Sequence, residues 1–269
     1  MSLSEKRLTT DGRQKFDPVF VRGGEEIVFT MLDSPTRTSL MRLKLADGSV
    51  ERLHKDANTA EFEPAFSPDG RYYCFVQNRG NLNLKLVIRD TTQNKDAIFD
   101  PGGGFAGMRH PTIAPDNSRI VFSMADATGQ QLYVVDMQGQ NKKTLTKESL
   151  NHWPGFSPDG KQIVFGSSRD GDFDLYLMNA DGANFRRITR SVGLDMRPRW
   201  SPDGKRLAFT SNRDGNYEIY VMDADGGNVR RITNNDERDD FAAWHPDGKR
   251  LVMVCERAGK SDLYLVEGL

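Results

Sequence analysis

Phe156-Ser157-Pro158-Asp159-Gly160-Lys161 returns as Trp200-Ser201-Pro202-Asp203-Gly204-Lys205, and again as Trp244-His245-Pro246-Asp247-Gly248-Lys249. Pro158, Pro202 and Pro246 stand 44 residues apart. Upstream, Phe66-Ser67-Pro68-Asp69-Gly70-Arg71 is the same element. Ile113-Ala114-Pro115-Asp116-Asn117-Ser118 is a degraded copy, and Phe20-Val21-Arg22-Gly23-Gly24 is the faintest. Self-similarity at such a period marks a repeat architecture.

Each copy is followed by the same series. An apolar strand comes first (Ile163-Val164-Phe165, Leu207-Ala208-Phe209), then a polar turn (Ser-Ser-Arg-Asp-Gly at 167–171, Ser-Asn-Arg-Asp-Gly at 211–215). A third strand follows (Asp174 to Met178, Glu218 to Met222), then Asp181-Gly182 or Asp225-Gly226, then Arg186-Arg187-Ile188-Thr189 or Arg230-Arg231-Ile232-Thr233. Asp-Gly supplies the positive φ of tight hairpins, and Pro presets φ at the first central position of a turn. Val, Ile, Phe and Tyr suit pleated surfaces. Four short strands per unit, repeated six times, predict an all-β fold: a six-bladed β-propeller of four-stranded antiparallel blades. No run of about ten residues with helical periodicity competes with this reading.

The sixth unit stops at Leu263-Tyr264-Leu265-Val266, one strand short. Lys6-Arg7-Leu8-Thr9-Thr10 matches Arg230-Arg231-Ile232-Thr233-Asn234. The N-terminal strand, about residues 6–10, is therefore expected to complete the last blade and remove the open edges. The expected organisation is one domain spanning 1–269.

The combination of W/F-S-P-D-G-K, S-x-R-D-G, D/E-I/L-Y-x-M and R-R-I-T resembles the propeller repeat of the TolB family. It is close over about 152–233 and recognisable over about 6–266. The resemblance implies a scaffold for protein–protein contacts, with a peptide or protein segment engaging the mouth of the central channel. Related propellers gate serine peptidases or act as divalent-metal lyases on pectic fragments. The alternative it leaves open is a metal-dependent hydrolase or lyase acting on a small or saccharide substrate at the same mouth.

Divergence at one fixed position of a regular repeat is where specificity is expected. The segments leading into the first strands are Lys15-Phe16-Asp17, Glu61-Phe62-Glu63, Met108-Arg109-His110, Asn151-His152-Trp153, Asp195-Met196-Arg197 and Asp239-Asp240-Phe241. Read as loops, they give a mouth with an acidic side (Asp17, Glu63, Asp239, Asp240) and a basic or aromatic side (Arg109, His110, His152, Trp153, Arg197). Trp153 and Arg197 are of the types that anchor interfaces. The four acids could also offer oxygens to Ca²⁺; no other cofactor is implied.

The Ser-Pro-Asp-Gly and Asp-Gly turns are expected on the opposite face, as turn chemistry. Arg79, Arg169, Arg213 and Arg257 occupy one equivalent position, which reads as an inter-blade ion-pair device. Cys74 and Cys255 sit within apolar strands of different blades and are expected as buried free thiols.

Several functions lack their signatures. Among His54, His110, His152 and His245, only His110 and His152 are placed to share a mouth, and the short His or Cys spacings of a zinc site are missing. There is no G-x-S-x-G. Gly102-Gly103-Gly104 opens no helix and reads as an inter-blade loop. The net charge of −1, with bases interspersed among acids, excludes a nucleic-acid footprint. No run of about 18 apolar residues exists for a membrane span. The expectation is a monomer, cytoplasmic as given, since the first residues are polar, or periplasmic had a leader been removed.

Overall fold

In the computed structural model, residues 3–78, 80, 83–102 and 107–269 are described. Arg79, Gly103 and Gly104 lie outside the described residues. Six antiparallel sheets of four strands each make the blades of a propeller. Blade 1 comprises Lys15–Val21, Glu26–Ser34, Arg37–Lys44 and Val50–Arg52. Blade 2 comprises Ala60–Phe66, Tyr72–Asn78, Leu84–Asp90 and Lys95–Phe99. Blade 3 comprises Arg109–Ile113, Arg119–Asp126, Gly129–Asp136 and Lys143–Thr144. Blade 4 comprises Asn151–Phe156, Gln162–Ser167, Asp174–Asn179 and Arg186–Arg187. Blade 5 comprises Asp195–Trp200, Arg206–Ser211, Glu218–Asp223 and Arg230–Arg231. Blade 6 comprises Asp239–Trp244, Arg250–Arg257, Lys260–Glu267 and, from the other end of the chain, Ser4–Arg7. No α-helix occurs among the described residues.

The middle strands have apolar centres because both of their faces are covered. Side chains alternate across a strand. Leu175 and Leu177 pack with Leu207, Phe209 and Met222 of blade 5. Their neighbours Tyr176 and Met178 pack with Ala114, Val121 and Leu132 of blade 3. A buried Phe recurs in the second strand of five blades: Phe29, Phe75, Phe122, Phe165 and Phe209. Met253 takes the place in blade 6. Cys74 and Cys255 are buried free thiols, and burial pushes both upward from the usual thiol range.

The ring closes through a repeated side-chain clasp. In blade 4, Arg187 Nη2 and Thr189 Oγ1 both donate to Asp174, Arg187 Nε donates to Thr189 O, and Leu175 N donates to Thr189 Oγ1 at 2.9 Å. Blade 5 repeats it with Arg231, Thr233 and Glu218. In blade 6 the same roles fall to Arg7, Thr9 and Asp262, with Leu263 N donating to Thr9 Oγ1 at 3.0 Å and Leu8 N to Leu263 O at 2.8 Å. The closing strand pairs Ser4 with Glu267 and Arg7 with Tyr264, starting two residues earlier than expected from the sequence. Lys15 locks the joint. Its side chain is fully buried, and Nζ donates to Ser261 O at 3.0 Å, to Asp262 Oδ1 at 3.2 Å and to Asp11.

Candidate functional site

The triplets read as loops are part of the innermost strands. In every blade the pairing with the second strand slips there: between Phe16 and Val19, Phe62 and Ala65, Arg109 and Thr112, His152 and Gly155, Met196 and Arg199, and Asp240 and Ala243. The third residue of each triplet takes a left-handed backbone. The φ values are 47° for Asp17, 55° for Glu63, 55° for His110, 53° for Trp153, 52° for Arg197 and 56° for Phe241. A β-bulge of this kind turns one side chain out of the ladder. For a non-glycine residue it costs about 1 kcal/mol or more. Proline follows the bulged residue in five blades, as Pro18, Pro64, Pro111, Pro154 and Pro198, with Ala242 in the sixth. A strand edge with no partner tolerates proline, which has no N–H to pair. The innermost strands are such edges, and the bulges give the channel a ring of six unlike side chains.

These groups meet each other. Arg109 donates to Glu63, and His110 N donates to the same carboxylate. The ring centroids of His110 and His152 lie 6.1 Å apart, of His110 and Trp153 5.7 Å, and of His152 and Trp153 5.1 Å. The Arg197 guanidinium lies 5.3 Å from the Trp153 ring centre and 4.2 Å from that of Phe241. Its Nη1 is 3.3 Å from Asp240. Asp240 is already committed to Thr210 Oγ1, to Phe241 N and to Arg238. Asp17, Pro18, Arg197, Arg199 and Phe241 line a crevice too tight to hold a water molecule.

Burial dominates the electrostatics. It raises the Asp17 carboxyl above the ordinary range, against the pull of Arg199, Arg197 and Arg109. It pushes Glu63 up to about 7, with Arg109 opposing and Asp17 adding. It lowers His110 well below the usual imidazole range and His152 to about 4, and Arg109 and Arg197 push both in the same direction. Both imidazoles are therefore neutral at pH 7. Burial also lowers Arg199.

Of the nine residues expected at the mouth, eight come together. Asp17, Glu63, His110, Trp153 and Arg197 hold bulge positions, and Arg109, His152 and Asp240 stand immediately before one. Asp239 does not join them. It is buried against Arg257 Nη1 at 2.7 Å and Asn235 Nδ2 at 2.6 Å, inside its own blade. The acidic and basic sides are not separate, because Arg109 bridges to Glu63 and Arg197 approaches Asp240. Among the described residues, no group of three or more His, Cys, Asp or Glu is arranged to hold a metal ion. Of the four acids, Glu63 pairs with Arg109, Asp239 with Arg257 and Asp240 with Arg238.

Four contributors were missed, the bulged Phe241 among them. Arg199 influences Asp17, and Phe16 packs on Phe241 with centroids 5.7 Å apart. Phe173 lies 5.3 Å from Trp153. Arg199 was visible in the repeat: the equivalent residues are Val19, Ala65, Thr112, Gly155 and Ala243, none of them charged. The recurring X-Pro also marked the bulge.

The repeated arginines work within blades, correcting the inter-blade expectation. Arg213 donates to Asp195 of its own blade at 2.8 Å, Arg257 to Asp239 at 2.7 Å, and Arg169 to Asn151 at 3.5 Å. Each also lies over a tyrosine: Tyr176, Tyr220 or Tyr264. The first strand and its partner loop are close neighbours in an antiparallel sheet, so the pair never has to cross to the next blade. The Ser-Pro-Asp-Gly turns are self-contained. Ser157 Oγ donates to Asp159 at 2.6 Å, Lys161 N donates to the same carboxylate, and Gly160 has φ of 70°. In the degraded copy Asn117 supplies the same conformation, with φ of 58°.

Known proteins share this architecture. The protein assigned as TolB in Agrobacterium tumefaciens superposes with a TM-score of 0.76 at 22% identity, over 99% of this chain and 97% of that one. TolB from Acinetobacter baumannii gives 0.72 at 19% identity, over 91% of this chain and 65% of that one. An oligogalacturonate lyase in complex with manganese gives 0.66 at 15%, over 97% and 79%. At these identities the likeness concerns the fold alone. The sequence model of the TolB beta propeller domain matches residues 1–151 and 146–267. With that match running through all six blades, the chain belongs to the TolB β-propeller domain family.

Proposed function

We propose that the protein is a non-catalytic scaffold that receives a protein or peptide segment at the channel mouth where the innermost strands begin. The observation that carries this reading is the bulge ring: one backbone conformation six times over, bearing Asp, Glu, His, Trp, Arg and Phe. A ring kept only for packing would not need six different chemistries at a strained position. Exposed apolar side chains lie on the same face. Leu150 and Val192, 42% and 89% exposed, sit in the segments leading into blades 4 and 5. TolB relatives favour a protein partner over a small substrate. The alternative, a metal-dependent hydrolase or lyase, needs three or more converging ligands, and the described residues offer no such group.

A photo-crosslinking amino acid at Val192, on the mouth side, tests the reading against one at Asp181, in a turn of the opposite face. The expected outcome is a discrete crosslinked partner from Val192 only, reduced by Arg197→Ala. Equal labelling from both faces, or turnover of an oligogalacturonate on addition of manganese, would overturn it.

A further inference from the structure

Nine buried side-chain nitrogen or oxygen atoms find no hydrogen-bond partner among the described residues. Five of them are nitrogens of the channel: His110 Nδ1, His152 Nδ1, Trp153 Nε1, and Nε and Nη1 of Arg197. Buried polar groups are nearly always paired, and an orphan costs about 1–3 kcal/mol. Such a concentration at one place points to a ligand that supplies acceptors.

The sign and size of that ligand follow from the neighbours. Trp Nε1 and the guanidinium nitrogens only donate, whereas a neutral imidazole carries one N–H, and that of His110 has Glu63 3.5 Å from Nε2. Arg197 is the formal charge of the group, and its nearest anion, Asp240, has its oxygens occupied by Thr210, Phe241 N and Arg238. The orphans belong to blades 3, 4 and 5, whereas Asp17 and Glu63 belong to blades 1 and 2. Glu63 is engaged by Arg109 and His110 N, and Asp240 by Thr210 and Arg238, so an incoming acceptor has Trp153 Nε1 and Arg197 Nε left to meet. A carboxylate is a small, flat acceptor of matching charge. Planar bidentate recognition of such a group is what a guanidinium does best.

We propose that the channel recognises a carboxylate, held by Arg197 and the indole N–H of Trp153. The inference rests on the channel being the binding site. A peptide's C-terminal carboxylate and a small organic acid share this chemistry.

The three tryptophans make a direct test. Trp200 Nε1 donates to Gly155 O at 3.1 Å and Trp244 Nε1 to Arg199 O at 3.1 Å, whereas Trp153 Nε1 is free of such a partner among the described residues. In a ¹⁵N–¹H correlation spectrum of the full chain, Trp153→Phe identifies its indole signal. Titration uses the peptide Ala-Ala-Phe as free acid and as C-terminal amide, and sodium propionate against propionamide, at matched chloride. The expected result is a downfield shift of the Trp153 indole alone, with the acids and not with the amides. Arg197→Gln should weaken the titration by about tenfold or more, and Arg197→Lys by less. The Trp200 and Trp244 signals report that the fold is intact in each variant.

A response to the peptide acid without propionate identifies a chain terminus as the source. A response to both identifies the carboxylate alone as sufficient. No response to any acid, equal response to amides, or a response indifferent to Arg197→Gln would overturn carboxylate recognition. If the Val192 crosslink persisted in that case, the peptide-binding reading would still stand, so the two failures are distinguishable.

Discussion

Two rings run round the start of the innermost strands, two residues apart, and they follow opposite rules. The first residues of the triplets include Lys15, Glu61, Asn151, Asp195 and Asp239, all buried and polar. Each is met by a partner of matching chemistry: Asp262, His54, Gln131, Arg213 and Arg257 respectively. The third residues, on the bulges, include orphaned donors at Trp153 and Arg197, and two acids and a histidine shifted by burial. The same backbone repeats in both places, so topology does not account for the difference. One ring is completed by the chain itself. The other keeps donors without a partner, at Trp153 and Arg197.

The satisfied ring can be broken most severely at the closure. Asp262→Ala removes the acceptor of Arg7 and Thr9 and strips Lys15 of its buried partner. Lys15 keeps Asp11 and Ser261 O, so the cost stays below the about 3–5 kcal/mol of a wholly uncompensated buried charge. The corresponding change in blade 4, Asp174→Ala, breaks the same clasp but leaves no lysine behind, and should cost roughly 1–3 kcal/mol. Urea unfolding of the two variants reads the difference directly. The double variant Lys15→Met with Asp262→Ala should recover much of the loss. Equal costs in blades 4 and 6 would mean that Lys15 is not held by Asp262 in solution.

In the unsatisfied ring the sign should reverse, because removing charge there relieves a burial penalty. Glu63, raised to about 7 by burial, binds a proton in the folded chain that the unfolded chain has already released. Stability therefore falls as pH rises from about 4.5 to 7 and then levels. His152, lowered to about 4 by burial and by Arg109 and Arg197, gives the opposite slope. The unfolded chain takes up a proton below about 6.5 that the folded chain refuses until about 4, so stability falls with acid. The two slopes mask each other in the native protein. Glu63→Gln should gain on the native protein as pH rises from 4.5 to 7, by about 3 kcal/mol. His152→Asn should gain as pH falls from 6.5 to 4, by about the same amount. Only the slopes count, since loss of the Arg109 contact adds a constant offset. Flat differences for both variants would mean that water reaches this ring and screens it.

The two rings were not equally legible. The blades could be read because each turn is a local device with its own residues, and the closure because Arg7-Leu8-Thr9 carries the same clasp as Arg187-Ile188-Thr189. Eight channel residues could be found because divergence stands out against a regular repeat. Asp239 was misplaced because treating 239–241 as a loop merged a residue facing its own blade with residues facing the channel. A strand separates adjacent side chains onto opposite faces, and a bulge then resets the count. The prolines after the bulges carried that information. Arg199 was passed over because it lies beyond the bulge, where the other blades hold small or apolar groups or a threonine.

The smallest effect expected lies farthest from the channel. Asp159 accepts from Ser157 Oγ at 2.6 Å and from Lys161 N at 3.1 Å, in an exposed turn of the face opposite the mouth. Asp159→Ala should cost less than about 1 kcal/mol, because Lys161 N turns to water and Ser157 Oγ keeps Gln162 O at 3.3 Å. It should leave the Val192 crosslink and the Trp153 indole signal unchanged. The same aspartate recurs with the same two donors at Asp69 and Asp203. An identical group repeated in an identical setting carries no address for a partner, whereas a turn that recognised something would differ from its copies. A loss of crosslinking in Asp159→Ala with unfolding unchanged would place recognition on the turn face, and the contrast between the two rings would then describe packing alone.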